Sequence, residues 1–321
     1  MMQYYDWKSH YDAHITEVAD KNGFRHFRID NETGTGEVIT CSVFPGVLAV
    51  LNDLRILRCG KAVPEAENTV EITCCMEGRY ECEVNSRYCF YIGHGDLTIG
   101  TVGRTEAGGG FPTRCFSGLT LFLDLTLLEK QYVCLLPEMG IDLGVIRELA
   151  KQKPRRFVLH NRAEFLTIIL SMAEAERSHR LPALRIKTIE LMMLLSDPDL
   201  APKSETPVYI SRKLAQLAKD VQRQVTADLS RHLTLTQLSA QFQTSPTAIK
   251  TAFKSVYGES LRDYMKACRL QEAQRLLRET DLPVSEVAAA VGFANPGHFS
   301  VAFRERFYMT PVEYKKSVHF E

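Results

Sequence analysis

The sequence predicts a two-domain chain: an N-terminal all-β domain, a jelly-roll barrel with appended helices, followed by an all-α C-terminal domain in which a linker helix joins tandem helix-turn-helix units. Three observations predict it. Short segments rich in Val, Ile, Thr, Phe and Tyr, punctuated by glycine turns, fill about Val38–Leu125. From Thr126 the apolar period lengthens from two to about 3.6. A helix-turn-helix pattern occurs twice, at an offset of about fifty residues.

The β segments are VITCSVF, VLAVLNDLRILRC, TVEITCCM, YECEV, YCFYI, LTIGTV and LTLFLDL. Close spacing with glycine-containing turns favours an antiparallel barrel or sandwich. The glycine run at 108–110 reads as a mobile loop; it lacks the Gly-Lys-Ser/Thr helix start of a phosphate cradle. Helices are expected at Leu127–Leu136, stopped by Pro137, and at Ile141–Ala150, Arg162–Ser178 and Pro182–Ser196. In the last of these, Leu184, Ile186, Ile189, Leu191, Met192, Leu194 and Leu195 form a stripe too broad for one-sided burial. That breadth fits either a helix sandwiched in the core or one packed on a second copy of the chain, so helices 162–196 are a candidate homodimer surface. The segment DPDLAPKSETP (Asp197–Pro207) reads as a linker. The expected boundaries are therefore 1–196 (barrel about 38–125, helices about 126–196), linker 197–208, and 209–321.

Composition excludes some classes. The 321 residues suffice for two cores, and no apolar run approaches the roughly 18 residues of a membrane span. The N-terminus, MMQYYDWKSHYD, lacks the plan of a secretory signal, so the expected location is cytoplasmic. Zero net charge hides an asymmetry: Tyr209–Glu321 holds 16 Lys/Arg against 11 Asp/Glu, a net of +5, and the preceding residues balance it at −5. A basic tail on an acidic body suits a polyanion at one end only. Nine cysteines contain no C-x-x-C pair; a redox or metal sensor built from Cys74, Cys75 and Cys82 is disfavoured, because their spacing is not a ligand pattern.

The C-terminal motifs carry the chemistry. In TQLSAQFQTSPTAIKTAFK (Thr236–Lys254), Leu238 and Phe242 sit four apart on a first helix, Gln243-Thr244 makes a tight connection, and Ser245-Pro246 is a cap followed by a first-turn proline. Ile249 and Phe253 give the second helix a buried face. Thr247, Ala248, Lys250, Thr251 and Lys254 fall outside it, short or basic residues that suit a surface entering a DNA major groove. SEVAAAVGFANPGHFSVAFR (Ser285–Arg304) repeats the plan, with Val287 and Val291, Asn295-Pro296, then Phe299 and Phe303, and a connection one residue longer at Gly292-Phe293. Its outward set is Asn295, Gly297, His298, Ser300, Val301 and Arg304. Between the units, Leu261–Arg278 forms one helix of about 27 Å, near the roughly 34 Å turn of B-DNA, so two reading helices could meet successive major grooves. Arg262, Arg269, Arg275 and Arg278 on this rod read as surface or interdomain charges and not as base readers.

These residues resemble the DNA-binding domain of the AraC/XylS family over about Leu214–Ser317. The resemblance rests on SPTAIKTAFKSVYG (Ser245–Gly258), YMKACRLQEAQRLL (Tyr264–Leu277), VSEVAAAVGF (Val284–Phe293), HFSVAFR (His298–Arg304) and TPVEY (Thr310–Tyr314). It implies promoter binding, activation through RNA polymerase, and an N-terminal ligand-sensing or dimerising domain. Two departures stand out. Tyr308 occupies a place where the family pattern favours Gly, and a left-handed turn there would cost about a kilocalorie or more, so a different local backbone is expected. Val301 stands where the family carries Arg or Lys, which removes a guanidinium fork to guanine and leaves a thymine-methyl contact as the substitute.

The N-terminal half is similar to the cupin-like sensors of that family only in the order of its elements. A small effector in the barrel is the leading expectation; a barrel that binds a protein partner, or a cupin-type enzyme fused to a DNA-binding domain, are the rivals. Cupin metal sites need clustered His, and His94 stands alone among these strands. No catalytic residue, cofactor or metal ligand is assigned, and the chain is not read as an enzyme.

Overall fold

A computed structural model of the chain describes residues 6–58, 66–103, 109–151, 157–203 and 208–319. It divides into two compact domains, Met1–Arg212 and Lys213–Glu321. Among the described residues, no helix is long and apolar enough to cross a membrane.

The N-terminal domain opens with β1 (His14–Lys21), β2 (Phe24–Asn31), β3 (Gly34–Phe44), β4 (Val47–Arg55), β5 (Ala66–Gly78), β6 (Tyr80–Glu83), β7 (Tyr88–Ile92), β8 (Leu97–Val102) and β9 (Phe116–Asp124). There follow α1 (Leu125–Gln131), α2 (Leu135–Glu138), α3 (Leu143–Lys151), β10 (Phe157–Leu159), α4 (Ala163–Arg177), α5 (Leu181–Leu195) and β11 (Ile210–Ser211). An eight-stranded antiparallel sheet has the order β1-β2-β3-β4-β9-β5-β8-β10, and a second sheet has the order β11-β7-β6. The pairings β4 with β9, β5 with β8 and β6 with β7 are nested one inside the next.

Strand alternation feeds two cores. On β4, Val47, Ala49 and Leu51 join a core shared with the helices, whereas Leu48, Val50 and Leu54 join one shared with the smaller sheet. A strand buried on both faces reads as an unbroken apolar run, which is why VLAVL shows no alternation. The aromatic residues Phe27, Phe90, Phe111, Phe116 and Phe122 gather in the second core, with Trp7 edge-on to Phe27 at 4.9 Å.

Several expectations need correction. β begins at His14, not Val38, because β1 is an exposed edge strand of mostly polar residues and β2 interleaves Arg25, Arg28 and Asp30 with its buried Phe24, Phe27 and Ile29. Pro137 does not stop a helix; it sits in the first turn of α2, where its missing N–H has no partner to lose. The expected linker is ordered at its start: Pro198–Lys203 form a 3-10 helix, and Leu200 is buried in the helix-side core. Residues 204–207 of that linker, and Gly108 of the glycine run, lie outside the described residues. Gly110 is anchored, not a free loop, since its carbonyl accepts from the Glu81 N–H at 2.8 Å. Cys74 and Cys75 point into opposite cores, so Cys74, Cys75 and Cys82 do not converge. Burial pushes the Cys74 thiol up to about 12 and the Cys75 thiol higher still, which disfavours the reactive thiolate. On α5, Leu184, Leu191, Met192 and Leu195 are buried, whereas Ile186 and Met193 are exposed, as is Leu170 on α4.

The C-terminal domain is helical: α6 (Arg212–Thr226), α7 (Leu235–Gln241), α8 (Pro246–Tyr257), α9 (Leu261–Glu279), α10 (Val284–Ala290), α11 (Pro296–Phe307) and α12 (Pro311–His319). Thr234 starts α7 in a capping box, its hydroxyl accepting from the Gln237 N–H while the Gln237 side chain accepts from the Thr234 N–H. Ser245, Ser260 and Asn295 cap α8, α9 and α11.

Candidate nucleic-acid interface

Helices α7–α8 and α10–α11 form two helix-turn-helix units, and the duplication extends to side-chain geometry. Leu238, Ile249 and Phe253 are buried in the first unit; Val287, Val291, Phe299 and Phe303 are buried in the second. In the first, Phe253 stacks on Tyr257 at 4.4 Å and meets Tyr264 edge-on at 5.3 Å. In the second, Phe303 lies 4.5 Å from Phe307 and meets Tyr314 edge-on at 5.7 Å. Each triad pins its recognition helix, α8 or α11, to the following helix, α9 or α12.

The turns are also equivalent. Gln243 and Gly292 both take a left-handed conformation, with φ of 49° and 82°. Gly258 ends α8 at φ 82°, its N–H donating to the Lys254 carbonyl; Tyr308 ends α11 at φ 60°, its N–H donating to the Arg304 carbonyl. The expectation of a different backbone at Tyr308 is therefore overturned. The fold imposes the left-handed cap, and Tyr308, 92% exposed, accepts about 1 kcal/mol of strain without a compensating contact from its ring.

On α8, Thr247, Lys250, Thr251 and Lys254 are exposed and Ala248 is half-buried. On α11, Gly297, His298, Val301 and Arg304 are exposed and Ser300 is half-buried. Two members of the second set are engaged locally. Asn295 Oδ1 accepts from the N–H groups of Gly297 and His298 at 2.7 and 3.3 Å, and Ser300 Oγ donates to the Pro296 carbonyl at 2.9 Å.

Electrostatics separates the recognition helices from the rod. Among the described residues, no ion pair engages Lys250, Lys254 or Arg304. On α9, by contrast, Arg275 is bridged by Glu272 and Glu279, each at 2.7 Å, and Arg278 pairs with Glu279 at 2.9 Å. These contacts hold the Glu272 and Glu279 carboxyls below their ordinary range through hydrogen bonds from the two guanidiniums. Lys250 and Lys254 on α8 are thus uncompensated cations that can neutralise phosphate, whereas Arg304 on α11 faces the Glu313 carboxylate, which is held low by hydrogen bonds from Thr310 and by the Arg304 charge. Arg269, read from sequence as a surface or interdomain charge, is half-buried and spends its guanidinium on backbone carbonyls. His94 donates from Nδ1 to the Met76 carbonyl at 2.5 Å, a structural contact, and among the described residues no group of three or more His, Cys, Asp or Glu is placed to hold a metal ion.

Residues 238–317 match the family described as a helix-turn-helix domain. The HTH-type transcriptional activator RhaR of Enterobacter sp. (strain 638) is 35% identical over 91 residues, which cover 28% of this chain and 32% of that protein. A solved structure described as a probable AraC family transcriptional regulator from Rhodopseudomonas palustris CGA009 is 30% identical, with a TM-score of 0.30, covering 32% of this chain and 97% of that one. The C-terminal domain is of the AraC type. A longer similarity, 25% identical over 210 residues, reaches the "Probable transcriptional regulator LumQ" of Photobacterium leiognathi and covers 59% of this chain and 83% of that protein. The chain spans about a third of the length of RhaR, so the resemblance there is confined to the AraC-type domain.

Proposed function

We propose that this chain is a sequence-specific transcription regulator acting in the cytoplasm, an activator that works through RNA polymerase and binds promoter DNA with both helix-turn-helix units. The observation that carries the reading is the duplicated, capped and aromatic-pinned pair of recognition helices, the first of which carries uncompensated cations at Lys250 and Lys254. Lys250 and Lys254 contact phosphate or guanine, Thr247, Ala248 and Thr251 line the first groove, and His298, Val301 and Arg304 enter the second, with Val301 against a thymine methyl. Gly297 lets the backbone approach the duplex, while Asn295 and Ser300 hold the start of α11 beside the phosphates.

In this reading the N-terminal domain is a cupin-like jelly roll, supported by the nested β4·β9, β5·β8 and β6·β7 pairs, and it senses a small effector in the core between its sheets. Polar support comes from Asn52, buried at 4% exposure, which accepts from the Tyr11 hydroxyl amid Trp7 and the phenylalanines. Residues 1–196 form the sensing and dimerising part, 197–208 connect it, and 209–321 bind DNA. Leu170, Ile186 and Met193, exposed on α4 and α5, supply the apolar face for a second copy. The dense aromatic filling of the same core favours one alternative, a barrel that recognises a protein partner; no catalytic step is part of either reading.

The test is a fluorescence-anisotropy titration over a range of salt with an operator duplex selected from a random pool. Lys250→Ala with Lys254→Ala is expected to weaken binding and to reduce the log–log salt slope by about 2, roughly one per lost phosphate contact. Unchanged affinity and slope would remove α8 from the interface.

A further inference from the structure

The two helix-turn-helix units are not held together by the rod alone. The C-terminal part of α9 belongs to the second unit: Leu270, Ala273 and Leu277 share a core with Val287, Val291, Phe299 and Phe303. Its N-terminal part touches the first unit through Tyr264, packed on Phe253 and Tyr257. Between these anchors Arg269 reaches the loop that precedes α7. Its Nε donates to the Leu229 carbonyl at 3.0 Å and its Nη2 to the Arg231 carbonyl at 3.3 Å.

The same loop is closed from the other side by the turn of the second unit. His232 Nε2 lies 2.7 Å from the Gly292 carbonyl, a contact that requires its proton on that nitrogen, and its Nδ1 is left to accept from Arg269 Nη1 at 3.4 Å. Gly292 is left-handed, and a Cβ there would stand 2.5 Å from the Leu229 carbonyl oxygen and 3.2 Å from Arg269 Cζ. The backbone of the second turn is thus pressed against the loop that launches the first unit, with no room for a side chain.

Resting on the DNA-binding reading above, we propose that Arg269 is a positioning residue: with His232 and Gly292 it clamps loop 227–233 between α9 and the second turn, and so fixes the angle between the two recognition helices. A planar guanidinium suits this task because its fork serves two carbonyls in a set geometry; a lysine ammonium donates from a single nitrogen on a flexible stem and fixes no such angle. The Lys266–Glu305 pair, at 3.1 Å between exposed side chains, adds little to that angle. Fixing the angle matters because the second unit binds at an effective concentration set by how well the first has oriented it.

Two readouts on the full chain test this. Without DNA, spin labels carried by unnatural residues at Thr251 and Val301 should give one narrow distance distribution in the parent and a broadened one in Arg269→Ala, in Gly292→Ala and in Arg269→Lys. Coincident distributions would overturn the clamp whether or not the chain binds DNA. With DNA, duplexes carrying the selected operator are compared with ones having a single base pair inserted between its halves, a rotation of about 35°. The parent should prefer native spacing by about tenfold or more, and the Arg269 variants should lose most of that preference while their affinity for one half alone stays unchanged. Variants that keep the parent's spacing preference would also overturn it. If labels respond to the variants but the parent selects no operator, the regulator reading fails and the clamp stands.

Discussion

Phe253→Ala is expected to destabilise the first helix-turn-helix unit by about 3–5 kcal/mol, the range for deleting a buried phenylalanine ring whose site cannot fully collapse. Phe253 is completely buried, stacked on Tyr257 and edge-on to Tyr264. Its loss empties the centre of a triad that joins α8 to α9, so the recognition helix loses its register as well as its packing. Hydrogen exchange of the α8 amides reads this opening directly and avoids treating a two-domain chain as one transition. Phe303→Ala is the matched control: it occupies the equivalent place between Phe307 and Tyr314 and should expose α11 by a comparable amount, leaving α8 protected. Protection of α8 unchanged in Phe253→Ala would contradict the burial on which the interface depends.

The second large effect lies in the N-terminal domain. Glu176, on the face of α4 that packs among Met172, Ala173 and Ala175, is completely buried, and neither carboxyl oxygen has a hydrogen-bond partner among the described residues. Burial pushes its carboxyl well above the ordinary range, opposed only in part by Arg177. The direction for stability follows. The folded state holds the proton more tightly than the unfolded chain, so ionisation adds no cost at a pH below the unfolded value of about 4.3, and its penalty grows at about 1.4 kcal/mol per pH unit above it until the folded value is passed. The chain should therefore lose stability as pH rises from about 4.5, through this one group. Glu176→Gln should flatten that dependence, and Glu176→Met, which removes the unsatisfied oxygens and suits an apolar site, should raise stability by about 1–3 kcal/mol at neutral pH. Urea unfolding across pH, followed by the fluorescence of Trp7 in the same domain, makes the comparison. A Met variant no more stable than the parent, with the same pH slope, would mean the carboxyl has a partner.

The C-terminal domain was legible because its signals are local. Caps at Ser245 and Asn295, prolines at the first helical position, and apolar pairs four apart each specify a helix end or a buried face without reference to anything distant. The site surface followed from what those pairs left outside. Less could be read where a residue's role depends on contacts far along the chain. Arg269 lies on an exposed-looking rod, and nothing in CRLQEAQ signals that a loop some forty residues earlier supplies its carbonyls. Glu176 sits in AEAER, which reads as a solvated helix face; only the packing of α4 between the sheet and α5 buries it. Leu200, alone among prolines and charges, gives no periodic pattern, yet it anchors the start of the expected linker to the core. The edge strand β1 is silent in the sequence for a related reason, since a strand with one solvated face and few large apolar residues carries no clear alternation. Tyr308 shows the converse: the sequence rule against a left-handed tyrosine was sound, and the fold overrode it to end α11 as α8 ends.

The most direct test of the central claim, that the paired units read one duplex together, is a hydroxyl-radical footprint of the full chain on its selected operator. Two protected segments about one helical turn apart, about 10–10.5 base pairs centre to centre on the same face of the DNA, are expected, with the second lost in Arg304→Ala combined with His298→Ala. A single protected segment in the parent, or two on opposite faces of the duplex, would contradict it.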